Sequence, residues 1–390
     1  MRILALIEHY LPGFKAGGPI RSLSNMVDRL SAEFEFLIVA QDRDFGDRKP
    51  YSSVDPRGRW QNVGKAQVRY LPPGGAGVMM LRRILQETKY DVLYLNSFFS
   101  FRYSILPMLM RSLRLIPRRP VILAPRGEFS SGALSQKRCK KQTYLRVAQL
   151  LGLYRKIVWQ ASSRYEAEDI RRRFGARSRI HIAPAVPERV DVRNLQRTVP
   201  KRPSSLRAVF LSRVAKMKNL LGALDLLSSL RGNVIFDIYG TITESAYWDS
   251  CQRAIAKMPD NICVRYMGSV PNTEVRSVFA SYDVFLLPTF GENYGHVIPE
   301  ALSVGCPVLI SDRTPWRGLE RRGVGWDLPL SDREGFVTVL QQLVDMDEAE
   351  HATLRSNARD FGAECMDARD VVAANEALFR CAVVDERQAT

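Results

Sequence analysis

Two glutamates with seven residues between them, Glu292 and Glu300, stand in the stretch SYDVFLLPTFGENYGHVIPEALSVGCPVLISDR, residues 281–313. Carboxylates are poor partners for phosphate and good acceptors for the hydroxyls of a sugar. Around the second glutamate the sequence predicts a helix start. The free N–H groups of such a start, with the helix dipole, favour a phosphate. A diphosphate on the backbone amides, with a sugar on each side, satisfies all three features at once.

The elements that must hold these groups are legible around them. Val284–Leu287 is an apolar run of strand length. Pro288–Gly295 is a loop of turn formers. Pro299 falls in the first turn of the following helix, where its missing N–H costs little. Gly305 and Pro307 end that helix, and Val308–Ile310 is the next strand. A strand, a loop, a short helix and a second strand form the unit.

The embedding PTFGENYGHVIPEALSVGCPV resembles the donor site of the "group 1" retaining glycosyltransferases (glycosyltransferase family 4). Glu292 and Glu300 alone are an unspecific pair; the strand, loop, helix and strand around them carry the likeness. The resemblance implies an α/β chain with the GT-B fold, two Rossmann-like doubly wound domains facing each other across a cleft. It implies roles as well. Glu300 accepts hydrogen bonds from the ribose hydroxyls of a nucleotide-sugar, and Glu292 holds donor-sugar hydroxyls. The amides of Asn293, Tyr294, Gly295, His296 and Val297 orient the sugar and the distal phosphate.

Arg213 and Lys218, in SRVAKMKNL after the strand AVFLS, match the family's R-x4-K, which usually continues with Gly where this chain has Asn219. Departure of a nucleoside diphosphate builds negative charge, and preorganised cations there lower the barrier. With these cations a metal is redundant, so no metal and no other cofactor is expected. Gly17 and Gly18 lie in the loop after the first strand; the family brings such a loop close to the donor phosphates, and glycine permits the approach. Arg126 and Glu128, in APRGEFSSGALSQKRCKK, are expected to face the cleft as substrate-binding residues. Many relatives carry histidine near the position of Arg126, so here it is expected to bind an anionic acceptor or pyrophosphate. Asp42 and Asp44 form a D-x-D that reads as a surface turn. Asn96 and Ser97 end a strand and are candidates for the acceptor side.

Composition sets bounds on the whole. A chain of 390 residues is too long for one ordinary core, so two domains are expected. The net charge of +16 is uneven. Residues 1–200 hold 36 Lys+Arg against 16 Asp+Glu, a balance of +20; residues 201–390 hold 21 against 25, a balance of −4. Residues 101–150 hold 11 basic residues and one acidic residue, Glu128. A basic half seeks an anionic partner: nucleic acid, an anionic membrane surface or a phosphorylated substrate. Cations are not interleaved with aromatics in any nucleic-acid module, which argues against nucleic acid. The stretch RYSILPMLMRSLRLIPRR is amphipathic and suggests docking on an anionic membrane. Six scattered cysteines read as reduced, mostly buried thiols. Glu8 and His9 interrupt the first apolar run, so it reads as a strand rather than a leader. No apolar run has the length of a membrane span.

Strands and helices alternate through each half, which argues parallel sheets covered on both faces. From Pro184 to Leu206 the alternation stops at a proline-rich, charged linker. The expected domains are an acceptor-binding one at 1–198, joined by a returning helix at about 366–390, and a nucleotide-sugar-binding one at 199–365. The function implied is transfer of a sugar from a UDP-, GDP- or ADP-sugar to a glycan or lipid-linked glycan, in cell-surface polysaccharide or lipopolysaccharide synthesis. The site is then cytoplasmic, at the inner face of the membrane. A sugar-nucleotide epimerase or a phosphorylase of the same fold is the alternative. The first needs acid and base groups around the sugar and the second a pyridoxal lysine, and neither is visible.

Overall fold

The computed structural model describes residues 1–55, 57–135, 138–189 and 200–387. The chain divides into two compact units, Met1–Glu188 with Ala368–Thr390, and Arg189–Asp367. The expected junction at 198/199 lies in residues 190–199, outside the described residues.

The first unit is built on eight strands: β1 (Arg2–Leu6), β2 (Glu35–Gln41), β3 (Gln61–Val63), β4 (Ala66–Leu71), β5 (Val92–Asn96), β6 (Val121–Ala124), β7 (Val158–Ala161) and β8 (Arg179–Ile182). Their order is β3-β4-β2-β1-β5-β6-β7-β8. All pairings are parallel except β3 with β4. The central strands are apolar on both faces because helices cover both, so they read as runs rather than alternations. The returning helix Arg369–Arg387 closes one face. Phe379 sets its ring against Phe34, Phe36 and Tyr94. Asn375 donates to the Pro184 carbonyl at 2.9 Å.

The second unit is a six-stranded, wholly parallel sheet: β9 (Ser205–Leu211), β10 (Asn233–Tyr239), β11 (Ile262–Gly268), β12 (Val284–Leu287), β13 (Val308–Ser311) and β14 (Gly325–Leu328). The order is β11-β10-β9-β12-β13-β14. Renumbered within the unit this is 3-2-1-4-5-6, the doubly wound dinucleotide order, in which ligands bind where the strand order reverses. The reversal lies between β9 and β12. Short β3 and β14, with few apolar residues, are the strands that sequence pattern does not reveal.

Two other expectations change, those for the cysteines and for the D-x-D. The stretch 102–119 is helical only as far as Ser112. It opens with a π-helical turn, Phe101–Ile105, and continues as Leu106–Ser112, with Tyr103, Met108 and Met110 buried and Phe101, Leu113 and Leu115 exposed. Only Cys251 and Cys306 are buried, while Cys139 and Cys263 are exposed. Asp42 and Asp44 are buried, not on a surface turn. No helix among the described residues is long and apolar enough to cross a membrane.

Candidate functional site

The reversal in the second sheet brings together two loops that are remote in sequence. β9 ends at Leu211, and its exit is pinned: Ser212 N–H donates to Tyr239 O at 3.0 Å and Val214 N–H to Thr241 O at 2.9 Å. Arg213, between these anchored residues, is exposed and makes no hydrogen bond or ion pair with another described residue. A single 3-10 turn, Lys216–Lys218, then leads into the helix Leu220–Leu227.

Asn219 joins these two pieces in the left-handed region, with φ 56°. Glycine, usual there in the resembled family, takes that conformation freely, and asparagine is the residue that next best tolerates it. Its Oδ1 caps the helix by accepting from Gly222 N–H at 3.2 Å, and its Nδ2 donates to Pro288 O at 2.8 Å. That second bond ties the β9 loop to the β12 loop. Phe290 N–H and the Thr289 hydroxyl both donate to Met217 O, at 2.9 and 3.0 Å, and complete the seam.

On this seam the Lys218 Nζ and the Glu292 carboxylate form a short ion pair, each side chain only 12% exposed. Two residues expected to serve diphosphate and sugar separately are thus in contact. Beyond Glu292 the chain turns through Gly295, whose φ is +75°; a Cβ there would lie 2.9 Å from Ile298 Cδ1. The backbone N–H groups of Tyr294, Gly295 and Val297 donate to no other described residue. They open the helix Val297–Ser303. Orphan N–H groups at this place are donors for an anion.

Glu300 lies on that helix and is 3% exposed. Its charge lies near the Tyr294 ring, whose hydroxyl is pushed well above its ordinary pKa, first by burial and then by Cys365 and Glu300. His296 is buried, with its ring edge-on to Tyr294 at 4.9 Å. The helix is backed by Glu348–Asp367, which approaches so closely that a Cβ on Gly362 would lie 2.3 Å from Ser303 N.

The loop after β13, absent from the sequence reading, braces this site. Arg313 O accepts from Glu292 N–H at 3.0 Å, and the Trp316 indole N–H donates to Tyr294 O at 2.6 Å. A tryptophan between Pro315 and Gly318 in a strand-exit loop is the signal that would have found it.

In the first unit the strand order reverses between β1 and β5. Gly17 and Gly18 follow β1, and virtual Cβ atoms on both meet nothing within 4 Å. Asp44 holds this loop: it accepts from Phe14, Lys15 and Phe45 N–H at 2.8, 3.1 and 2.7 Å. Asp42 pairs with Arg43 at 2.7 Å. Glu128, expected to bind substrate, spends its carboxylate on the turn after β5. It accepts from the Ser97 hydroxyl at 2.7 Å, from Phe98 N–H at 2.5 Å and from Phe99 N–H at 3.1 Å. Burial raises its pKa, and these three bonds offset part of the rise. Arg126 has φ 57° and turns its Nη2 inward, to Tyr94 OH and Asn96 Oδ1, both at 2.7 Å. Its Nε is buried with no hydrogen-bond partner. Glu166 accepts from Gly127 N–H at 2.6 Å and from Ser162 N–H at 2.7 Å. Among the described residues no group of three His, Cys, Asp or Glu side chains is placed to hold a metal.

The chain is similar to proteins of known activity in sequence and in fold. Residues 191–361 match the family described as "Glycosyl transferases group 1". A phosphatidyl-myo-inositol mannosyltransferase of Mycobacterium leprae is 33% identical over 86 residues, 22% of this chain and 23% of that protein. O-antigen chain mannosyltransferase B of Escherichia coli is 26% identical over 113 residues, 27% of this chain and 29% of that protein. The chain thus aligns with about a quarter of the length of these curated relatives.

Among solved structures, sucrose-phosphate synthase of Thermosynechococcus elongatus superposes with a TM-score of 0.73 at 14% identity, covering 97% of this chain and 98% of that one. HepE of Anabaena, solved with UDP and glucose, gives 0.69 at 18%, covering 98% and 99%. WaaG, a glycosyltransferase of lipopolysaccharide biosynthesis, gives 0.66 at 13%, covering 98% of each chain. At these identities the likeness establishes the fold, which is GT-B.

Proposed function

We propose that this chain, which belongs to the group 1 glycosyltransferases, is a retaining, metal-independent enzyme that moves a sugar from a nucleotide-sugar to a saccharide acceptor. The observation that carries the reading is the meeting, at one switch point, of the Lys218–Glu292 pair with unpartnered amides at Tyr294, Gly295 and Val297. Cation, carboxylate and amides are the three kinds of group that a sugar diphosphate needs.

The geometry supports a division of labour. The distal phosphate and the sugar lie on the amides. Lys218 has three N–H donors, so it keeps Glu292 and still reaches a phosphate oxygen. Arg213, exposed at the exit of β9, takes part of the remaining charge. Glu292 accepts from donor-sugar hydroxyls and Glu300 from the ribose.

In the reaction the acceptor hydroxyl oxygen bonds to the anomeric carbon on the face from which the diphosphate leaves. The bond from that carbon to the phosphate oxygen breaks, and the hydroxyl proton passes to the departing oxygen. Stabilising the anion as it forms is the protein's contribution. No side chain is placed here as a nucleophile, which favours this front-face course.

The acceptor belongs to the basic first unit. The curated relatives act on a phosphatidyl-inositol and on O-antigen chains, and a lipid-linked glycan at an anionic membrane suits this charge. Among the exposed apolar residues of this unit, Leu150 and Leu151, 84% and 62% exposed, are adjacent in sequence and follow the exposed Val147. Arg146, Arg155 and Lys156 are exposed around them. Gln149 bonds the same helix end to Arg173 O, which brings in the arginines of the helix Arg164–Phe174. Cations around an apolar tip are the pattern of an interfacial anchor. Cosedimentation with phosphatidylglycerol vesicles at low salt is expected, and a Leu150→Glu/Leu151→Glu variant is expected to stay in the supernatant.

Thermal-shift screening against UDP, GDP, ADP and their sugar conjugates tests the function. One nucleoside diphosphate and its sugar conjugate raise the melting temperature of the wild type, and raise that of Glu300→Ala by less. Silence from all of them in the wild type removes the proposal.

A further inference from the structure

We propose that Trp316 is a positioning residue: by taking the Tyr294 carbonyl it aims the Gly295 N–H at the donor's anion. The inference rests on the functional reading above and deepens it.

The argument begins with the peptide bond. In a trans peptide the C=O of one residue and the N–H of the next lie in one plane and point in opposite directions. The Trp316 indole N–H holds the Tyr294 carbonyl at 2.6 Å. The N–H of Gly295, the other end of that peptide, must then point away from the tryptophan, and it donates to no other described residue. Gly295 sits at φ +75°, where glycine moves freely between conformations. Without a restraint, this peptide is the one in the loop most able to flip and withdraw its donor.

The brace is itself held. Arg317 reaches Asp327 at 3.7 Å and Asp312 at 4.0 Å. Leu319 N–H donates to Asp327 Oδ1 at 2.9 Å. Trp316 N–H donates to the Thr314 hydroxyl at 3.1 Å, and Thr314 is buried. The indole also sets its edge on the Tyr294 ring, centroids 5.5 Å apart. Two residues earlier in the active loop, Arg313 O takes Glu292 N–H. The loop after β13 thus holds two points, Glu292 and Tyr294, of the segment that carries the glutamate and the free amides. Preorganised donors do more for an anion than donors that must be turned on binding.

The test uses a labelling scheme that this sequence makes selective. Tyrosine carrying 13C at the carbonyl, combined with 15N-glycine, gives amide signals for only two bonds, Tyr239–Gly240 and Tyr294–Gly295. The first, at the exit of β10, reports that the unit is folded. In the free wild-type protein the second has a defined position, and it moves when UDP or GDP, whichever raises the melting temperature, is added.

Trp316→Phe keeps the ring and removes the N–H. In the free variant the Tyr294–Gly295 signal is displaced or broadened while the Tyr239–Gly240 signal stays. The nucleotide-induced shift shrinks, and the nucleotide binds about tenfold more weakly, the loss expected for one hydrogen bond that serves a charged group. Arg317→Gln, which frees the brace without touching the indole, gives the same changes at smaller amplitude. If Trp316→Phe leaves the free signal, its shift and the affinity at wild-type values, the inference is wrong. Should the wild type bind no nucleotide, the functional reading fails, and an undisplaced free signal would separately dismiss the brace.

Discussion

The loops at the strand exits of the two units are built from the same parts and assembled in opposite ways. In the first unit, carboxylates consume backbone donors. Asp44 takes three amides of the loop after β1 and its neighbour, Glu128 takes two after β5, and Glu166 takes Gly127 and Ser162. In the second unit the exit of β12 leaves three amides unpartnered, and its carboxylate is spent on Lys218 instead. A carboxylate is an internal anion. Where it fills a nest of N–H groups the loop is rigid and closed to other anions; where it is drawn away by a lysine the nest stays open. The contrast separates the two sets of exits: among the described residues, backbone donors stay open after β12 and are filled by carboxylates in the first unit. It also moves Glu128 from the substrate to the scaffold.

The hardest test of the contrast is Lys218→Ala. If the open nest does chemistry, loss of this cation lowers kcat by about a hundredfold to a thousandfold, the range for removing one preorganised group that meets developing charge. Donor KM changes less, since the amides remain. The variant also leaves Glu292 without its partner, so Glu292→Gln in the same background identifies any part due to the stranded carboxylate. A full-rate Lys218→Ala enzyme would place the chemistry elsewhere.

The next test addresses the closed nests, where stability and not rate is at stake. Burial raises the pKa of Glu128. A carboxyl group whose folded pKa exceeds its unfolded one binds the proton more tightly in the folded state. Its contribution therefore declines as pH rises from the unfolded value, near about 4.3, through the folded one. The stability of the wild type relative to Glu128→Gln is expected to fall across that window and to level off above it, with kcat little changed. Denaturant titrations of both proteins at a series of pH values check this. A difference that grows with pH would mean that the ionised carboxylate gains more from Ser97, Phe98 and Phe99 than burial costs it.

The same contrast explains what the sequence disclosed. Strands β1, β2, β5, β6, β9, β10, β12 and β13 are largely apolar runs, since burial on both faces leaves no alternation to confuse the pattern, and Asn96, Pro125, Gly240 and Pro288 mark the ends of β5, β6, β10 and β12. The lysine and the two glutamates of the open nest were legible as well, because each follows a strand and the doubly wound topology then fixes their meeting place. Their ion pair was not, since it depends on a seam between residues 217–219 and 288–290. The closed nests were opaque for a related reason. A carboxylate serving backbone N–H groups has partners without side-chain identity, so Asp44 and Glu128 look like solvated or ligand-seeking acids. Arg126 is a different case: its partners are the side chains of Tyr94 and Asn96, and only the fold brings them to its guanidinium.

The smallest expected effect concerns the seam. Asn219 does two things: it occupies a left-handed position, and its side chain links the helix start to Pro288 O. Asn219→Gly preserves the first and removes the second. Glycine at a helix N-cap costs only a few tenths of a kcal/mol, and one partly buried hydrogen bond is worth about 1 kcal/mol, so a loss of about 1 kcal/mol is expected. Asn219→Ala lacks the cap and is also strained at positive φ, so it is expected to lose about 2 kcal/mol or more. Urea midpoints of the two variants measure the difference. If glycine proves as costly as alanine, the Pro288 link dominates, and the open nest depends on that single bond between its loops. If glycine is neutral, the bonds from Phe290 and Thr289 to Met217 O hold the seam alone, and the asparagine matters only for the turn it permits.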